Sequence, residues 1–139
     1  MSENKLSKEE VEKWVKGEEA KLYNYLVRNN MQLTYIEPTT RLFPRQLILW
    51  QVNTKEQGMQ WVVTGELPSD HLAGKNAADG RAALRNFSLS WQLKAEKILS
   101  KLSKQGVPVQ EREQKDYAQL LVTWAERLYQ LNEMDAAWA

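Results

Sequence analysis

Near the N-terminus the apolar positions recur at helical spacing. Val11, Trp14, Val15, Leu22, Tyr25 and Leu26 fall on one stripe at about 100° per residue, which predicts a helix from roughly Lys8 to Arg28. Ser7-Lys8-Glu9-Glu10 opens it as a capping box, the Ser7 hydroxyl accepting the Glu10 amide. Asn29-Asn30 suits the exit, because Asn tolerates the left-handed backbone.

The period then changes. Met31 to Ile36 reads as a short strand ended by Glu37-Pro38, and Leu47 to Val52 and Met59 to Thr64 read as two strands around the polar loop from Asn53 to Gly58. A symmetric hairpin pairs Val52 with Met59, Trp50 with Trp61 and Ile48 with Val63. All six then share one sheet face, which packs on helices. The other face carries Leu47, Leu49, Gln51, Gln60, Val62 and Thr64, a mixed set expected to be partly open.

Gly65 to Gly80 reads as a connector, with Asp79 the N-cap of a second helix that runs to about Lys104 before Gly106 and Pro108. Its main stripe is Leu84, Phe87, Trp91, Ala95, Ile98 and Leu102. Ala82, Leu89 and Leu93 form a smaller stripe nearly opposite, expected to be covered within the chain, or else by a second subunit. A third helix, from about Gln110 to Met134, presents Tyr117, Leu120, Leu121, Trp124, Leu128 and Leu131, a face widened by Ala118, Val122, Ala125 and Tyr129. The pattern therefore predicts one α+β domain over residues 1–139. In it a small antiparallel sheet of two to three strands packs against three long helices.

Composition adds exclusions. With one histidine and no cysteine in 139 residues, the chain cannot build the usual zinc sites, iron–sulfur clusters, c-type haem attachment or a cysteine nucleophile. No metal and no cofactor are expected. A net charge of +1 gives no general attraction for nucleic acid, so none is expected as a partner, and Arg41 and Arg45 beside tryptophan are too little to reverse that. The apolar runs are short and the N-terminus is polar, so neither a membrane span nor a secretion signal is expected, and the setting expected is cytoplasmic.

Trp61-Val62-Val63-Thr64-Gly65-Glu66-Leu67-Pro68-Ser69-Asp70-His71, followed by Arg81 to Phe87 and by Trp91-Gln92-Leu93-Lys94-Ala95-Glu96, resembles a family of short bacterial proteins of unknown function. The resemblance extends over most of the chain. It implies a bacterial, cytoplasmic protein and carries no catalytic residue with it.

Several residues are candidates for chemistry. Ser69-Asp70-His71 has triad residue types, but three consecutive loop residues do not converge on one centre, and Asp70 reads as a turn residue after Pro68. Gly74-Lys75-Asn76 lacks the spacing and hydroxyl of a phosphate loop; the helix start beside it, with Lys75, Arg81 and Arg85, suits an anion more loosely. Glu18 interrupts the apolar stripe of the first helix, where a carboxylate becomes an acid or base if buried. Glu66 and Asp70 offer at most a weak divalent site. The six tryptophans read first as core.

Together these features describe a small binding protein, monomer or homodimer, acting on another protein or on a small ligand through an aromatic-rich surface or pocket. The expected ligand-binding residues are Glu18, Trp50, Trp61, Asp70, His71, Arg81 and Arg85. The alternative is an enzyme using carboxylates and the single His71, without a transition metal.

Overall fold

The computed structural model describes residues 7–43, 46–105 and 108–138. Arg45 and Gly106, singled out above, lie outside the described residues. The chain divides into two compact units, residues 1–76 and residues 77–139.

The first unit begins with helix α1 (Lys8–Arg28). Ser7 stands at its N-cap with extended backbone and accepts the Glu10 amide at 3.2 Å. At the other end Asn30 takes a φ of 58°. The amide of Asn30 reaches the Val27 carbonyl (3.1 Å) and that of Met31 the Leu26 carbonyl (2.9 Å). This is the Schellman arrangement, in which the left-handed residue turns the chain so that its last amides reach carbonyls at the helix end. Met31 and Leu26 are both buried in the same apolar cluster, which fixes how the chain leaves the helix.

Five antiparallel strands follow: β1 (Leu33–Ile36), β2 (Arg41–Phe43), β3 (Leu47–Thr54), β4 (Gly58–Gly65) and β5 (Asp70–Ala73). The order is β1-β3-β4-β5, with β2 also pairing along β3, so the sheet is wider than the two to three strands expected. Two segments escaped the sequence reading: β2 is three residues long, and β5 lies in what reads as connector.

The central hairpin departs from the expected register by one residue. Trp50 lies opposite Val62 and Gln51 opposite Trp61, so the two tryptophans are on opposite faces rather than together. The cause is the turn. Thr54 pairs with Gly58, whose φ of 70° allows a three-residue connection in place of a symmetric longer loop. Ile48, Trp50, Val52 and Val62 therefore share a face and form a core with Leu22, Leu26 and Met31. Leu47, Leu49, Trp61 and Val63 occupy the other face and are buried as well, so that face is not the partly open one expected.

The second unit is a helical hairpin, α2 (Gly80–Gln105) and α3 (Pro108–Glu133), ended by a single turn α4 (Asp135–Trp138). Asp79 caps α2, its carboxylate accepting the Ala82 amide at 2.8 Å. Arg81 meets Asn132, Ser88 meets Ala125 and Lys94 meets Tyr117, which sets the two helices antiparallel and in register along their length. The buried line of α3 is Ala118, Leu121, Ala125, Leu128 and Asn132, spaced three and four apart. Small residues make that close approach possible: the Ser88 hydroxyl donates to the Ala125 carbonyl at 2.7 Å. Tyr117 and Leu120, expected to face inward, are instead exposed.

Candidate functional site

Glu18, Lys21 and Tyr25 recur on α1 at intervals of three and four and so share one side of the helix. Glu18 is 4% exposed. Its Oε2 pairs with Lys21 Nζ at 2.8 Å, while Oε1 is buried and has no hydrogen-bond partner among the described residues. Lys21 Nζ also donates to the carbonyl of Gly65 at 3.2 Å, tying α1 to the end of β4. Gly65 is required there: its φ is 149°, and a Cβ would collide with the Gln46 carbonyl and the Leu47 backbone.

One turn further along α1, Tyr25 reaches the sheet edge. His71 pairs with Val62, which puts its side chain on the α1 face. The Tyr25 hydroxyl and His71 Nδ1 are 2.6 Å apart, with the rings edge-on at 60°. Burial pushes the Tyr25 phenol well above its ordinary value of 10.0, the Asp70 carboxylate raises it further, and the Arg28 guanidinium opposes the rise. The phenol is therefore neutral at physiological pH, and its hydroxyl, both donor and acceptor, shares one hydrogen bond with Nδ1, so Nε2 is the ring nitrogen that Tyr25 does not engage.

Asp70 precedes His71 in β5 and pairs with Val63, so their side chains alternate between faces. Asp70 Oδ1 accepts the backbone amide of His71 at 2.8 Å. This local contact is of the kind that the sequence Pro68-Ser69-Asp70 suggests.

The seven candidate residues do not form one constellation. Trp50 lies on the α1 face, its indole Nε1 donating to Thr64 Oγ1 at 2.9 Å in a buried bond. Trp61 is on the opposite face. Arg81 and Arg85 belong to the second unit. There Arg81 clasps the open end of the hairpin, donating to the Asn132 carbonyl (2.5 Å) and pairing with Asp135 (2.6 Å). Arg85 is exposed on α2. The residues that sequence reasoning missed are Lys21 and Tyr25. Tyr25 counted only as an apolar stripe position, although a tyrosine on a buried stripe needs a partner for its hydroxyl.

Two of the grooves among the described residues lie away from these side chains. One of about 370 Å³, lined by Tyr23, Leu26, Val27 and Leu33, borders the C-terminal end of α1. Another of about 660 Å³, lined by Leu99, Leu102, Arg112 and Lys115, lies within the hairpin unit. Neither is lined by Glu18, Asp70 or His71. Among the described residues no group of three or more His, Asp or Glu side chains has the arrangement of a metal site. No helix among them is long and apolar enough to cross a membrane.

Residues 8–138 match the family described as Domain of unknown function (DUF4826), and the chain belongs to that family. No curated protein and no solved structure matches it.

Proposed function

We propose that this member of a family without an assigned activity works by binding another polypeptide rather than by catalysis. One observation carries the reading. Leu89 and Leu93, 51% and 59% exposed, stand one turn apart on the side of α2 opposite its buried line. Two leucines held out on a well-packed helix are a natural anchor for an apolar partner surface.

The polar candidates support the same reading. Tyr25 and His71 engage one another, Glu18 engages Lys21, and Arg81 engages Asn132 and Asp135. An acid–base site needs such groups turned toward a substrate cavity. The competing enzymatic reading rests on His71, whose Nε2 is the ring nitrogen left for substrate. The cytoplasmic setting expected from the sequence belongs to the binding proposal.

The test is photo-crosslinking in living cells, with a photo-reactive residue at position 93 and a control at the exposed Lys16 of α1. A polypeptide adduct from position 93 that Leu89→Lys abolishes, with none from position 16, is the expected result. No adduct from position 93, or one indifferent to Leu89→Lys, overturns the proposal.

A further inference from the structure

We infer that the polypeptide received by this face of α2 is a second copy of the chain, packed antiparallel about a two-fold axis near Trp91. The inference rests on the binding role proposed above and names the partner.

The outward line of α2 is longer than two leucines. Ala82, Asn86, Leu89, Leu93, Glu96 and Ser100 follow one another at intervals of four and three, the spacing of a helix–helix seam, the last four exposed and Ala82 and Asn86 partly so. At 1.5 Å per residue the line is about 27 Å long, enough for a helix-to-helix contact. Leu89 and Leu93 lie at its centre, equally far from Trp91. A two-fold axis there sets each Leu89 against Leu93 of the other copy, an isologous contact of the commonest oligomeric kind.

The charges then choose the direction. In an antiparallel pair each flank of a helix meets the same flank of its mate. Arg85 and Glu96 are exposed, lie on the same flank and are almost equally distant from the centre. Each Arg85 therefore meets Glu96 of the other copy, and the symmetry makes two such pairs. Lys97 falls on the other flank, level with Asn86 of the second copy, so no like charges face one another. A parallel pairing has the opposite effect: it sets Glu96 beside its own counterpart within the seam. Antiparallel self-packing is thus the arrangement in which the apolar centre and the charged ends are satisfied together.

A seam of this length is small by the standard of stable interfaces, so the association is weak and concentration-dependent. Sedimentation equilibrium on the purified full chain, from about 1 µM to about 1 mM, measures it. Wild type should pass from monomer to dimer, and the double substitution Leu89→Lys with Leu93→Lys should remain a monomer with unchanged helix content. Arg85→Glu and Glu96→Arg should each weaken dimerisation by about five- to tenfold, since each sets like charges together. Combining them should restore the wild-type constant within about twofold, because the pairs re-form with signs exchanged.

A wild type that is monomeric throughout, or a charge exchange that does not restore association, overturns the inference. The binding role is judged separately by the crosslinked adduct, whose mass is twice that of the chain if the partner is a second copy. An adduct of any other mass leaves the binding role standing and removes the second copy from it.

Discussion

The Tyr25 hydroxyl of α1 and His71 Nδ1 of β5 lie 2.6 Å apart, across 46 residues of sequence. That bond joins the first helix to the far edge of the sheet. It also engages Nδ1 of the chain's single imidazole, so Nε2 is the ring nitrogen that Tyr25 does not take.

Tyr25→Phe should lower stability at neutral pH by about 1 kcal/mol, the usual cost of one partly buried hydrogen bond. Its effect on the alkaline limb is more specific. The phenol is raised in the folded chain above its ordinary value of 10.0. The unfolded chain therefore loses this proton first as pH rises, and the stability held by the neutral phenol is complete below about pH 10 and is lost above it. Tyr35 is raised too, first by its hydrogen bond to Glu37, so the variant should flatten the alkaline loss without abolishing it. Urea unfolding midpoints between pH 8 and pH 11, compared for the two proteins, measure this.

Glu18 is a buried carboxylate with one oxygen on Lys21 and the other without a partner among the described residues. Removing Lys21 strands that charge, whereas replacing Glu18 by leucine continues the apolar stripe. Lys21→Ala should therefore destabilise by about 1–2 kcal/mol, the half-exposed lysine keeping the figure modest, and Glu18→Leu should be neutral or stabilising. In the double variant most of the loss should disappear. Denaturant titration of the three variants gives the coupling directly.

Gly65→Ala should cost at least about 2 kcal/mol, as a positive φ and a blocked Cβ position act together. Gly58→Ala, at a φ of 70° but with open space around it, should cost about 1 kcal/mol. Thermal midpoints of the two variants rank the sites.

What the sequence discloses depends on whether the deciding residue acts locally. Both caps of α1 and the Asp79 cap of α2 are readable, because Ser7, Asn30 and Asp79 hydrogen-bond within a few residues of themselves. The hairpin register is not, since Gly58 in the left-handed region shifts it by one residue and sends Trp61 to the other face. Strands β2 and β5 are too short to show a period and exist through pairing with β3 and β4. In α3 the expected face is too wide: Ala118 and Ala125 from its margin lie inside, where α2 approaches closely, whereas the larger Tyr117 and Leu120 lie outside. At the candidate site Glu18 stands out as a polar residue among apolar ones. Tyr25 and Lys21 acquire their roles only when β4 and β5 come alongside.

The central claim is that Leu89 and Leu93 form a face kept open for a polypeptide. Methyl NMR of the leucines with a soluble paramagnetic probe measures it most directly. In dilute solution the Leu89 and Leu93 methyls should be strongly relaxed while those of Leu84 and Leu128, fully buried in the hairpin, are not. At high protein concentration, or with the bound partner present, the protection of Leu89 and Leu93 should rise toward that of the core. Leu89 and Leu93 methyls already as protected as Leu84 in the dilute monomer would contradict the account.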